Sequence, residues 1–104
     1  MVIVITHFDV YPGQEGHFEE LWKQAAAIHA EHPGLLSSRL LRSLQIGSHY
    51  VAYTTWDSET DIRLASQNVV YQELIRKLPL VQPAQQQRYV LRHDAKPDGH
   101  EEEG

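Results

Sequence analysis

The stretch "YVAYTTWDSETD", Tyr50 to Asp61, changes character in its middle. Its first half mixes aromatic and β-branched residues, a composition that predicts a β-strand over 50–56. Ser58 then provides a helix N-cap, and with Asp61 it resembles a capping box in which Asp replaces Glu. Trp56, the largest side chain available, therefore stands where a strand gives way to a helix, and it either plugs the end of the core or borders a cleft.

Working outward from this stretch, two periodicities account for the rest of the chain. Alternating β-branched and aromatic residues predict strands, whereas apolar residues three or four apart predict helices. The tripeptide "HPG" at 32–34 ends the first helix, because proline cannot continue it. The predicted strands are 2–10, 35–45, 50–56 and 85–93, and the predicted helices are 14–32, 59–66 and 69–78.

The resulting order, β-α-β-β-α-β, predicts an α+β fold of the ferredoxin-like type, an antiparallel sheet with helices on one face. Both faces of the strands carry apolar residues; on the first strand Val2 and Val4 oppose Ile3 and Ile5. The helices suffice to cover one face, and exposing the other would cost about 25 cal/mol per Å². A second copy packed sheet against sheet would cover it, so we expect a homodimer.

Length and composition set the remaining limits. The 104 residues fit one domain, predicted over 1–93, followed by a flexible acidic tail over 94–104, "DAKPDGHEEEG". The net charge of −5 argues against a nucleic-acid partner, and the absence of cysteine excludes disulfides and thiolate chemistry. No apolar run approaches the ~20 residues that span a bilayer, so no membrane partner is expected. The first residues lack the features of a signal peptide, which predicts a cytoplasmic protein.

The segments "HPGLLSSRLLRSL", "YVAYTTWDSETD" and "VVYQELIRKLPL" resemble the antibiotic biosynthesis monooxygenase family over roughly residues 1–93. The most specific parts of the resemblance are Pro33-Gly34 and the Trp-x-Ser of Trp56 and Ser58. The resemblance implies a dimeric α+β barrel built from ferredoxin-like subunits. It also implies oxidation of a small aromatic substrate by molecular oxygen with no metal, haem or flavin as cofactor.

Of four residues compared with the polyketide-oxidising branch of the family, two match in this sequence and two differ. Trp56 matches the tryptophan proposed as functional in the polyketide-oxidising branch, and Arg76 corresponds to an arginine of that branch. The asparagine of that branch is Ala52 here, and the position of its tyrosine is taken by Ile62. The haem-degrading branch uses a histidine ligand on a later helix, and no histidine occurs between 50 and 92, so haem binding of that kind is not expected.

These observations predict a site around Trp56. Trp56 would line a pocket, His7 would act as base, and Arg76 would steady negative charge. The alternative for His7 is a place in the dimer interface, which its strand parity with Ile3 and Ile5 favours. Residues expected to bind substrate are Thr6, Ala52, Thr54 and Tyr71, although packing is an alternative role for Tyr71.

A metal site is not predicted. His29 and His32 lie three residues apart near a helix end, a spacing that can share a metal, but neither cysteine nor a carboxylate pair completes a ligand set. Favourable positive charge at the helix C-terminus is the preferred interpretation of both histidines.

The leading functional hypothesis is a cofactor-independent monooxygenase that oxidises a small phenol, quinol or enol with O₂. The alternative is a non-catalytic dimer that binds a small apolar metabolite. A third, weaker hypothesis is a structural or interaction module, which predicts no enclosed pocket beside Trp56.

Overall fold

The structure, a computed structural model, describes residues 1–97 and contains every predicted strand and helix. Within these residues, none of the helices has the length and apolar character needed to cross a bilayer. The elements in chain order are β1 (Val2–Asp9), α1 (Glu15–His29), β2 (Leu35–Arg42), β3 (His49–Trp56), α2 (Glu59–Ala65), α3 (Val69–Arg76) and β4 (Gln85–Val90).

The strands form one antiparallel sheet in the order β2-β3-β1-β4, which confirms the α+β, ferredoxin-like prediction. The register pairs Thr6 with Ala52 and Val4 with Thr54. Residues directly opposite one another in a sheet point to the same face, so the even-numbered residues of β1 and β3 share one side.

β1 ends one residue earlier than predicted, at Asp9, and two other strands end three residues earlier. β2 stops at Arg42 rather than at residue 45, because the hydroxyl of Ser43 accepts hydrogen bonds from the backbone N–H groups of Gln45 and Ile46 and turns the chain. β4 stops at Val90, and residues 91–97 form neither helix nor strand. Of the predicted tail 94–104, residues 98–104 lie outside the described part of the chain.

The helices cover one face of the sheet. On that face an aromatic cluster forms one part of the core: the ring of Phe18 from α1 lies 5.1 Å from that of Phe8 and 4.7 Å from that of Tyr50. The opposite face has no helix over it, and there Leu41 and Tyr89 expose 51% and 44% of their surface. The sequence prediction of apolar residues on an uncovered face is therefore confirmed.

Two side-chain caps fix the start of the helices beyond β3. The Ser58 hydroxyl accepts a hydrogen bond from the backbone N–H of Asp61, and the Asn68 side chain accepts one from that of Tyr71. The predicted N-cap is therefore present. In addition, the Asp61 carboxylate accepts a hydrogen bond of 2.7 Å from the Ser58 hydroxyl, which adds a side-chain contact to the cap. The caps thus mark the starts of α2 after β3 and of α3, the helix that carries Tyr71.

Candidate functional site

A cavity of about 290 Å³ lies between the helix-covered face of the sheet and helices α1 and α3. Thr6, Ala52 and Thr54 line it from the sheet, Ala26 from α1 and Tyr71 from α3. Its walls include members of both clusters of the core, the one around Phe8 and the one around Trp56. The cavity thus extends into the core between these two clusters.

Small side chains at facing positions open this gap. Ala52 lies beside Thr6 in the register, and α1 presents two consecutive alanines, Ala25 and Ala26, above them. Large residues at these positions would interdigitate as they do in an ordinary core. This arrangement matches the expectation that the small side chains of Ala52 and Thr54 leave space beside Trp56.

Trp56 is both core and cavity wall. Its side chain is 2% exposed, and its indole N–H donates to the Thr54 hydroxyl at 3.0 Å. A buried donor needs such a partner. Because the N–H is engaged by Thr54, the indole presents its ring rather than its polar atom to the cavity.

His29 also lines the cavity, and sequence analysis did not place it there. Its imidazole stacks on the Tyr71 ring with centroids 3.8 Å apart and planes 17° apart. It meets the Trp56 indole edge-on, at 5.2 Å and 82°. The Nε2 atom of His29 is buried and has no hydrogen-bond partner among the described residues.

A signal for His29 was present in the sequence. His29 follows Phe18, Trp22 and Ala25 by eleven, seven and four residues, the spacing of a single helix face. A histidine on an apolar helix stripe is therefore a candidate for the sheet side of the helix rather than for solvent.

The cavity wall carries no formal charge near neutral pH. None of the lining residues within 1–97 is Asp, Glu, Lys or Arg, and the two titratable ones are His29 and Tyr71. Burial, aided by nearby His32, lowers the pKa of His29 to about 4. Burial raises the pKa of Tyr71. Both groups are consequently neutral at pH 7.

The packing of the His29 ring against Tyr71 and Trp56, with its Nε2 buried, corrects the interpretation of His29 as a positive charge at a helix end. His32, the other histidine of that pair, instead contacts the Asp61 carboxylate at 3.0 Å.

Within the described range 1–97, no three His, Cys, Asp or Glu side chains are grouped so that they could hold a metal ion.

The structure brings together five of the seven predicted site residues and separates the other two from them. Those around the cavity are Trp56, Thr6, Ala52, Thr54 and Tyr71.

His7 lies on the uncovered face of the sheet, where its Nδ1 is 3.3 Å from His49 Nε2. Strand alternation places His7 on the side opposite to Thr6, and therefore away from Trp56. Arg76 is the last residue of α3; its exposed side chain pairs with Glu73. In this chain, then, neither His7 nor Arg76 reaches the cavity, which corrects the expectation that both act beside Trp56.

A comparison with models of protein families finds a match over most of the chain. The family model described as antibiotic biosynthesis monooxygenase matches residues 1–77. No curated protein sequence matches the chain.

Several solved structures share the fold. SnoaB, a cofactor-independent oxygenase from Streptomyces nogalater, is 23% identical with a TM-score of 0.78, and the match covers 89% of this chain and 94% of that one. A conserved protein from Methanosarcina mazei Go1 is 16% identical with a TM-score of 0.80 and coverage of 85% and 89%. Rv0793 from Mycobacterium tuberculosis is 18% identical with a TM-score of 0.80 and coverage of 91% and 98%. At these identities the likeness establishes the fold.

Proposed function

This chain belongs to the antibiotic biosynthesis monooxygenase family, and on that premise we propose that it is a cofactor-independent monooxygenase acting on a small phenol, quinol or enol. The observation that carries the proposal is the uncharged cavity of about 290 Å³ beside Trp56. A cavity of this size suits a small aromatic molecule.

The reaction needs little from the protein beyond a shaped, water-poor space. A phenol that loses its proton becomes an electron-rich anion, which can itself reduce O₂. A phenol and one O₂ give a quinone and one water, so one oxygen atom enters the product and the other leaves as water. The protein would hold the ring between Trp56 and Tyr71 and keep competing water out.

The hydroxyls of Thr6 and Thr54 supply polar contacts on the sheet side of the cavity. Thr54 already accepts the indole N–H of Trp56, and a hydroxyl oxygen can still donate its own proton to a ligand oxygen. This supports the roles of Thr6, Thr54, Ala52 and Tyr71 as substrate-binding residues, with Ala52 providing room.

We also propose that two copies pair through the uncovered face of the sheet. Ile5, Tyr53 and Leu41 lie on this face, and its apolar surface would be stabilised by burial against a second copy. His7 belongs to the same face, so we assign it to the interface rather than to the cavity. Sedimentation at micromolar concentration should give a dimer, and a stable monomer would refute this part.

A cytoplasmic location stays a prediction from the sequence.

The enzymatic proposal is tested by oxygen uptake with a panel of phenols and quinols. We expect the parent protein to consume O₂ faster than the buffer with at least one of them. Ala26→Leu, which fills the cavity from α1, should lower kcat/KM at least tenfold. Ala27→Leu makes the same change one residue along, at an exposed position, and should leave kcat/KM unchanged. Trp56→Phe tests the wall itself and should also reduce turnover.

Two results would overturn the proposal: no uptake above the buffer with any compound, or an Ala26→Leu variant as active as the parent.

The lack of a charged group in the cavity wall also favours a second candidate, a protein that binds an apolar metabolite without reaction. A compound that raises the Tm of the parent but not that of Ala26→Leu, with no O₂ consumed, would support that candidate.

A further inference from the structure

We propose that His29 is the proton acceptor of the cavity: its imidazole accepts the hydrogen bond of the substrate's hydroxyl group and then takes that proton. The inference rests on the proposed function, and it assigns to His29 the role that the sequence alone suggested for His7. It also narrows the substrate to a molecule that enters the cavity with its hydroxyl protonated.

The position of the imidazole is fixed by its aromatic neighbours. Tyr71 stacks on one of its faces at 3.8 Å, and the Trp56 indole stands nearly perpendicular at 5.2 Å. His29 ends α1, whose apolar side packs on the sheet, so the backbone that carries the ring is held as well. A group that receives a proton benefits from such restraint, because it need not be reorganised when the substrate binds.

The imidazole has an unmet capacity for hydrogen bonding. Its Nε2 is buried without a partner among the described residues, an arrangement that is unfavourable in the empty cavity. Because no hydrogen bond at Nε2 fixes the tautomer, the ring can keep its lone pair on whichever nitrogen meets a ligand. His29 is part of the cavity wall, so a ligand hydroxyl would donate to the ring nitrogen that borders the cavity.

The other lining residues cannot take a proton near neutral pH. Tyr71 stays protonated, since burial raises its pKa, and the remaining polar side chains are hydroxyls and one amide, those of Thr6, Ser38, Thr54, Ser66 and Gln86. Within residues 1–97, His29 is thus the one group in the cavity wall with a basic lone pair at pH 7.

The charges around His29 decide which form of the imidazole meets the substrate. Burial and the neighbouring His32, which is itself paired with Asp61, lower the pKa of His29 to about 4. The free protein therefore offers a neutral ring that can accept. An imidazole with a pKa of about 4 is a weak base towards a phenol, whose pKa is about 10, so the transfer depends on the attraction between the substrate anion and the new imidazolium, which raises the pKa of His29 when the substrate binds. The proton thus passes from the substrate oxygen to His29, while the electron pair of the broken O–H bond stays on the substrate.

The first test measures binding and does not depend on turnover. The parent is titrated with a phenol that O₂ does not oxidise and with the methyl ether of the same phenol. We expect the phenol to bind roughly five- to tenfold tighter, the range for one hydrogen bond. This preference should persist at pH 5.5, because His29 is still neutral there, and it should disappear in His29→Phe, which keeps a flat ring.

The second test measures turnover. His29→Gln can still accept a hydrogen bond but cannot take the proton, so kcat should fall about 10²- to 10⁴-fold with KM within a few-fold of the parent. His17→Gln, an exposed histidine of the same helix, is the matched control and should keep the parent values. In His29→Ala, added imidazole should restore part of kcat.

The outcomes separate this inference from the proposed function. Equal binding of phenol and ether by the parent, or a His29→Gln variant with parental kcat, overturns the role of His29. A clear preference for the phenol that is lost in His29→Phe, without O₂ uptake by any protein, supports the contact and refutes the oxygenase. Should the variants fail to fold, ¹⁵N NMR of the parent decides: the ring nitrogens of His29 should shift when the phenol binds and not when its ether binds, and signals unchanged by the phenol would overturn the contact.

Discussion

Replacing Gly34 by alanine should destabilise this protein far more than a single methyl group suggests. Gly34 lies in the connection between α1 and β2, and its carbonyl accepts a hydrogen bond from the backbone N–H of Asp57 at 2.9 Å. A Cβ added to Gly34 would lie 2.3 Å from Cγ and 2.5 Å from Cβ of Asp61. The backbone of Gly34 is not in the left-handed region, so the requirement for glycine here is one of space.

The cost follows from what Asp61 does. Asp61 cannot yield by moving only its tip, since its own Cβ is among the clashing atoms. A shift would disturb the carboxylate's bonds to Ser58 at 2.7 Å and to His32 at 3.0 Å. Overpacking contributes about 1–3 kcal/mol and a weakened cap about 1 kcal/mol, so Gly34→Ala should lower the free energy of unfolding by about 2–4 kcal/mol. For a domain of this size the Tm should fall by on the order of 10 °C.

Urea unfolding followed by circular dichroism measures this difference, and Gly16→Ala provides the matched control. Gly16 lies in α1, and an added Cβ there would meet nothing within 4 Å. The same substitution should therefore be neutral or stabilise by up to about 1 kcal/mol. In an Asp61→Gly background, Gly34→Ala should cost less than about 0.5 kcal/mol, because the clashing side chain is gone. A Gly34→Ala variant as stable as the parent would refute the steric argument.

Three further predictions concern groups that support the cavity and the core. Thr54→Val should lower the free energy of unfolding by about 1–3 kcal/mol, because Trp56 loses the acceptor of its buried N–H, and the cost should shrink in a Trp56→Phe background. Ser58→Ala should cost about 0.5–2 kcal/mol in urea unfolding through loss of the α2 cap, and no change would contradict that assignment. Burial and a hydrogen bond to Glu19 raise the pKa of Tyr50 to about 12, so absorbance should show one tyrosine ionising near there. Because the folded state holds that proton more tightly, stability should decline as pH rises from about 10 towards 12, and Tyr50→Phe should reduce this decline, leaving the part that comes from Tyr71.

The elements of the fold were readable because each follows one local rule. Alternation predicted the strands, and helical spacing with Pro33 at its end predicted α1. The early end of β2 was missed, because it depends on Ser43 bonding two backbone N–H groups, and the serine-rich sequence of 35–45 gave no reason to prefer one serine over another as the turning point.

The cavity could be predicted in part, since strand parity is visible in the sequence. Ala52, Thr54 and Trp56 are spaced by two, so they share a face whatever the register. The register between β1 and β3 is not visible, and it is the register that places Thr6 beside Ala52. His7, one residue further on, consequently falls on the other face, although it seemed equally near in sequence.

The position of His29 shows why the sequence drew attention to His7 and not to the histidine that lines the cavity. A histidine within a strand of apolar residues attracts notice, whereas one at the end of a helix suggests an interaction with the helix dipole. A charged imidazole at a helix end is favourable when water solvates it. Here the rings of Tyr71 and Trp56 enclose the imidazole of His29 instead. The enclosing residues come from α3 and β3, more than twenty residues away along the chain, so only the packed fold could show that this ring is enclosed and that its Nε2 has no hydrogen-bond partner within residues 1–97. The same packing separates the two roles that the sequence had joined: the covered face of the sheet holds the cavity, and the uncovered face, with His7, holds the surface that we propose for a second copy.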